Sequence, residues 1–254
     1  MLNGNPANAL HYLTRGAGLL VRPGLKRFVL VPLLVNLVLF VVATIALVHV
    51  YRDLLTQLVE WMPEWLAFVA WILWLLFAFL LLVVYGYTFN IITNLVAAPF
   101  YGILAEKIEQ ELTGKEPKPE SLSALIPRTL ARELTKLWYF VSRGFLVLLV
   151  LVVLWFIPVV NLASALISVL WAAWCMSVQY IDYPADNHQL EFREMRRRLN
   201  TESLTSYTFG GLVMAGSMIP LVNIFMMPIA VAGATIYWVE ELSIKEPSIK
   251  KLSQ

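Results

Sequence analysis

Four stretches of this sequence carry no charged side chain, and together they take up 140 of its 254 residues. They cover residues 28–51, 65–105, 144–181 and 203–239. An α-helix needs about 20 predominantly apolar residues to cross a hydrocarbon core. Every stretch exceeds that length. The run from Leu75 to Val84 is apolar at each position rather than at alternate ones, which fits a helix in lipid and not a barrel strand. The expected fold class is therefore an all-α integral membrane protein. Composition agrees: 59% of residues are hydrophobic and 14% charged, against about 45–50% and 25% in soluble domains. That balance excludes a soluble enzyme, a nucleic-acid binder and a disordered scaffold.

The stretches differ in kind. Residues 28–51 read as one transmembrane helix about 36 Å long. Residues 65–105 read as a second, longer helix. Trp65–Tyr85 alone would cross, and the rest would run on out of the bilayer until Pro99 and Gly102 bend or end it. The last two stretches are each interrupted by one hexad: Ile157-Pro158-Val159-Val160-Asn161-Leu162 and, 62 residues on, Ile219-Pro220-Leu221-Val222-Asn223-Ile224. Pro ends a helix and Asn can cap the next one, so each stretch is expected to be a helical hairpin. The first arm of each, counted from Gly144 or Ser206, reaches only about 21 Å, short of a core about 30 Å thick. The expectation is two long transmembrane helices plus two hemipenetrating, re-entrant hairpins, at 144–181 and 206–239. Tilted, thin full spans are the other reading of the same lengths. Residues 1–27 supply an interfacial helix and a basic turn. Residues 106–143 form a cytoplasmic helical segment, 182–205 a polar connector and 240–254 a tail, all within a single membrane domain.

With both hairpins entering and leaving on one side, 18 of the 19 Lys and Arg residues share one face. The positive-inside rule makes that face cytoplasmic, with both termini inside. Asn5-Pro6 opens an interfacial helix with Leu10, Leu13, Ala17 and Leu20 along one side. Arg128, Arg132 and Lys136 recur every four residues as a basic stripe. The stripe reads either as headgroup contact and solvation or as a positive funnel for an anion. Glu194 and Arg198 are spaced to pair on one helix. Trp61, Trp65, Trp138 and Trp238 sit at stretch ends, as an aromatic belt does.

Catalytic chemistry has no carrier. There is no nucleophile–base pair and no phosphate loop. Cys175 is single and lies in an apolar run. His11, His49 and His188 lack ligand spacing, so no metal or other cofactor is expected. The informative basic residues are Arg22, Lys26 and Arg27 around Pro23-Gly24-Leu25. A helix start presents unpaired N–H groups and a positive dipole end, so cations in its first turn are misplaced. A bound oxyanion would repair that conflict, with Gly24 letting the backbone approach closely. Equally, the cations would simply anchor the helix at the inner interface.

The stretch Gly16–Asn36, the segment Asn94–Glu109 and the repeated Ile-Pro-x-Val-Asn hairpins resemble the CysZ family of bacterial sulfate permeases, over nearly the whole chain. The resemblance implies ATP-independent, channel-like sulfate uptake across the bacterial inner membrane, for sulfate assimilation and cysteine biosynthesis. It places the sulfate site on Gly24, Leu25, Lys26 and Arg27, with Arg22 beside them. Glu106 is placed to line an internal pathway, with Arg128 and Arg132, or to pair with an arginine, or else is plain first-turn helix charge; Pro158, Asn161, Pro220 and Asn223 mark the hairpin turns. The implied partners are the sulfate ion, the lipid bilayer and further copies of the chain. Those copies form a dimer or a larger homo-oligomer, a hexamer included, and contain antiparallel protomers, which conflicts with the one-sided placement of Lys and Arg and leaves protomer orientation open. Small residues at four-residue spacing, Gly211/Ala215 and Ala230/Ala234, would let helices approach in such an assembly. The competing reading is a membrane-shaping or accessory scaffold without transport activity, because hemipenetrating hairpins also wedge one leaflet.

Overall fold

The chain's computed structural model describes residues 3–22, 24–61, 67–115, 121–157 and 160–243. These residues are almost wholly helical and contain no strand. They form two compact units, Val31–Ala97 and Met1–Leu30 with Ala98–Gln254.

The Val31–Ala97 unit is built from two helices that also extend beyond it, α2 (Lys26–Trp61) and α3 (Ala67–Thr113). Thr44 Oγ1 lies 2.9 Å from Tyr85 Oη, Phe40 meets Phe89 edge-on, and Tyr51 meets Trp74 and Phe77. Partners move backward along α3 as they move forward along α2, so the two helices run antiparallel here. Leu34, Leu37, Leu75, Leu76 and Phe79 are all more than half exposed, as a lipid-facing surface requires. Both helices outrun the uncharged stretches. α2 passes through Arg52 and Asp53. α3 continues for 47 residues with Pro99 inside it, so Pro99 and Gly102 do not end the helix as expected. The packing of Ala97, Ala98, Tyr101, Leu104 and Ala105, all buried, outweighs the one hydrogen bond Pro99 removes.

The other unit holds α1 (Pro6–Leu20), the end of α3, α4 (Leu122–Trp155), α5 (Leu162–Asn187), α6 (Phe192–Thr201), α7 (Ser203–Ser217) and α8 (Pro220–Tyr237). A π-helical turn, Trp238–Leu242, ends α8. Asn5 caps α1, its side chain accepting from the Ala7 N–H at 3.0 Å, and Pro6 stands at the first helical position. The buried face of α1 is Ala9, Tyr12, Leu13, Gly16, Leu19 and Leu20, whereas Leu10 is exposed and Ala17 only half-buried. The buried face is thus not the expected one: Leu13 and Leu20 belong to it, and Leu10 and Ala17 do not. It lies on α8, where a Cβ at Gly16 would come within 2.7 Å of the Gly233 nitrogen. Tyr12 stacks on Tyr237 and donates from its hydroxyl to Glu241 Oε1 at 2.6 Å. Burial and that carboxylate push the Tyr12 phenol upward, so it remains a donor.

The two hexads share one backbone hydrogen bond among the described residues. Asn161 donates its backbone N–H to Ile157 O at 3.1 Å, and Asn223 donates its own to Ile219 O at 2.8 Å. The caps differ from expectation. Asn161 stands at the N-cap of α5 without a side-chain cap bond. Pro220 opens α8 at its first position, after Ile219 as N-cap, and so puts Asn223 inside the helix. Pro158 lies outside the described residues.

Arm lengths differ too. α4 is one helix of 34 residues, because the basic segment and the first arm of hairpin 144–181 are continuous through Gly144. α5 runs 26 residues, whereas α7 has 15. Among the described residues, five segments are long and apolar enough to cross a membrane: Leu34–Leu54, Trp74–Thr113, Ser123–Trp155, Leu162–Asn187 and Pro220–Leu242. Of the two small-residue pairs, one is used within the chain, and the other is left in part on the surface, with Ala215 exposed. Ala230 and Ala234 are fully buried in α8, and Gly211 faces Ala173 of α5. Trp138 is exposed as a belt residue should be, but Trp238 is a core residue. Trp61 has no described side chain, and Trp65 lies outside the described residues.

Candidate functional site

The basic turn joins α1 to α2. Arg22 N–H bonds Leu19 O at 3.0 Å and Leu25 N–H bonds Arg22 O at 3.3 Å. Gly24 adopts φ +101°, a conformation that L side chains rarely take, and the space its Cβ would enter is open for 4 Å. Leu25 is 3% exposed and pins the turn to the protein. Gly24, Lys26 and Arg27 are exposed around it, and Pro23 lies outside the described residues. α2 begins at Lys26 with no acidic side chain in its first turn. The leading N–H groups of such a helix lack intrahelical partners. Open backbone, a positive helix end and two exposed cations therefore converge on one small volume. Arg22 stands next to it, its Nη1 3.3 Å from Glu111 Oε2 near the end of α3.

That end of α3 is acidic. Glu109 holds His188 Nε2 at 2.8 Å, and Asn187 Nδ2 donates to Gly102 O at 2.8 Å, which ties α3 to the end of α5. Glu106 sits half-buried between Ala105 and Lys107 on the same helix.

The basic stripe of α4 is neither a solvated face nor a free positive funnel. Arg128 Nη1 lies 2.6 Å from Asp186 Oδ2. Arg132 Nε donates to Asp182 Oδ1 at 2.8 Å. Lys136 is 1% exposed, with Nζ 2.6 Å from Glu133, 3.4 Å from Asp182 and 4.4 Å over the Tyr183 ring. Buried charge is sustained only when paired, and here every cation of the stripe meets a carboxylate. Sequence reasoning missed Asp182 and Asp186, although a signal was present. Arg128 and Asp186 are equidistant from Ile157 along the chain, as are Arg132 and Asp182. Two unbroken helices folded back at that hexad must bring those positions together. The spacing of Glu194 and Arg198 also yields its pair, at 3.4 Å.

Cys175 is a free, half-buried thiol. Among the described residues, no group of three or more His, Cys, Asp or Glu side chains is arranged to hold a metal ion.

Among the described residues, five apolar helices of spanning length define a helical membrane protein, and an exposed cationic turn leads into the first of them. A family model described as "Sulfate transporter CysZ/Etoposide-induced protein 2.4" matches residues 12–228. A protein of Pseudomonas fluorescens (strain Pf0-1) named "Sulfate transporter CysZ" is 47% identical over 234 residues, covering 91% of this chain and 92% of that protein. A protein of the same name from Pseudomonas syringae pv. tomato is 44% identical over 243 residues, covering 93% and 94%. The chain belongs to this family of membrane proteins.

Proposed function

We propose that this chain is a transporter rather than an enzyme, and that it carries sulfate across the bacterial inner membrane without ATP, supplying sulfate assimilation and cysteine biosynthesis. The observation that supports the reading best is the turn before α2, where Gly24 at φ +101° opens the backbone beside exposed Lys26 and Arg27. In this reading a sulfate dianion takes N–H bonds from Gly24 and the α2 start, with buried Leu25 holding the turn in place, and charge from Arg27 and Lys26. Arg22, held by Glu111, borders the site. Glu106 flanks the pathway, and Arg128 and Arg132 form its fixed wall through their pairs with Asp186 and Asp182. The membrane arrangement that accompanies this is two long transmembrane helices, α2 and α3, with two re-entrant hairpins that tip at Asn161 and Asn223. α7 supports it, since 15 residues reach about 22 Å. The exposed tips, with Leu162 81% and Leu221 78% exposed, call for cover by lipid or by further copies of the chain, so a homo-oligomer is part of the proposal.

Flux and binding test it together. Purified protein in liposomes should take up labelled sulfate without ATP; membrane curvature without flux would replace this reading with the scaffold one. Charge-assisted hydrogen bonds contribute about 1.5–3 kcal/mol. Arg27→Ala should then weaken sulfate binding about tenfold to a hundredfold, and Arg27→Lys should recover only part of it. Full recovery by Lys would make Arg27 an interface anchor. Gly24→Val is a poorer probe, because a side chain at φ +101° strains the turn itself.

A further inference from the structure

α6 is a short helix with two unlike faces. Phe192, Met195 and Leu199 are buried, and Arg193, Arg196 and Arg197 follow one another on the opposite side. Those three arginines line one wall of a cavity of about 900 Å³. Tyr139 and Arg143 of α4 and Trp174 of α5 line another, with Trp174 Nε1 donating to Tyr139 Oη at 2.9 Å. Four guanidinium groups thus face a cavity that holds only two carboxylates, Glu191 and Glu194. Glu194 is already engaged by Arg197 and Arg198. Among the described residues Arg143 and Arg193 form no ion pair. Arg196 Cζ lies over the rings of Tyr139 at 4.4 Å and Phe192 at 4.9 Å, and its buried Nε has no hydrogen-bond partner.

The surroundings select the kind of anion. Arg143 is the last charge on α4. Continuing its face by helical spacing, Leu146 and Val150 are each 49% exposed. The matching positions below Trp174 on α5, Leu170 and Leu166, are exposed as well. A cationic cavity rimmed by Tyr and Trp therefore opens onto an apolar strip of two membrane helices. Tyr and Trp favour such headgroup-level positions, and Arg binds phosphate oxygens through a planar fork.

We propose that this groove binds one anionic phospholipid. Its phosphodiester sits among Arg143, Arg193 and Arg196, and an acyl chain follows Leu146, Val150, Leu170 and Leu166. A free phosphate or sulfate matches the charge but makes no use of the strip, and a zwitterionic lipid matches the strip but adds a cation to four others. The groove is separate from the turn at Gly24, so sulfate binding there stands or falls independently.

Native mass spectrometry of the full-length protein in detergent, titrated with phosphatidylglycerol or phosphatidylcholine, tests the proposal. Phosphatidylglycerol should bind at least about tenfold more tightly, a difference of about 1.4 kcal/mol. Arg143→Gln with Arg193→Gln removes two exposed, unpaired charges and should reduce that preference to about twofold, a gap of about 0.4 kcal/mol. Leu146→Ser with Leu170→Ser leaves every charge in place and should weaken long-chain phosphatidylglycerol alone, sparing its soluble deacylated headgroup. An unchanged preference in the arginine double variant overturns the proposal. So does millimolar inorganic phosphate that displaces the lipid completely, because the groove would then be a simple oxyanion site.

Discussion

The two hairpins, α4–α5 and α7–α8, are built around the same hexad and turn with the same backbone hydrogen bond from Asn to Ile. Their arms live in different surroundings. The arms next to the first turn are bare: Val153, Trp155, Phe156 and Leu162 are strongly exposed, and burial begins only far from the tip, at Ala173 on α5 and at Lys136 on α4. In the second hairpin burial begins a turn or so after the tip, at Met226, and α8 is then enclosed from Ala230 to Trp238. One hairpin is held at its base by paired charge. The other is held along its length by backbone contact, with Gly233 against α1 and Gly210 against α5. A duplicated turn therefore fixes where a chain folds back, while the residues along the arms decide what the arms are for.

The largest test strikes the base of the first hairpin. Lys136→Met leaves Glu133 buried without its cation and Asp182 with Arg132 alone, and breaking a buried pair costs about 3–5 kcal/mol. Thermal unfolding of the detergent-solubilised variant should show that loss; a shift of a few degrees or none would mean water reaches the cluster.

Next comes the glycine contact of the second hairpin. A Cβ at Gly210 would lie 1.8 Å from Ala173 O, a clash that no rotamer can relieve. Gly210→Ala should cost about 3 kcal/mol. Its counterpart in the first hairpin is Gly144, where a Cβ would sit 3.7 Å from Trp171 Nε1, in ordinary contact. Gly144→Ala should be neutral or stabilise by up to about 1 kcal/mol, the usual gain from replacing glycine in a helix. Equal melting temperatures for the two variants would break the contrast between the hairpins.

The smallest effect separates the two tips. Asn161 Oδ1 accepts from Ser164 Oγ at 3.0 Å, and Asn161→Ala should cost about 1 kcal/mol. Asn223 is exposed, so Asn223→Ala should stay within about 0.5 kcal/mol. A larger loss at Asn223 that depends on protein concentration would reveal a second copy covering that tip.

Much was legible from residue type and order alone. Uncharged runs dictate membrane helices because hydrocarbon satisfies no backbone or charged group. Pro and Asn mark the fold-back points, and glycine between cations marks the turn at Gly24 because few other residues hold φ +101° there. What sequence did not reveal was each side chain's partner. Leu10 and Ala9 are both apolar neighbours on α1, and only the crossing of α8 buries one and leaves the other outside. Arg128, Arg132 and Lys136 read as surface charge until α5 brings Asp186 and Asp182 against them. Helix ends moved for the same reason: α3 runs on past Pro99 because neighbouring helices bury Ala98, Leu104 and Ala105. Solvent preference and turn chemistry belong to the residue and its immediate neighbours, so the sequence by itself determined the membrane class, the fold-back points and the basic turn. Burial and charge pairing belong to pairs of residues far apart in the chain, so tertiary structure alone decided which face of α1 is core and which carboxylates meet the cations of α4.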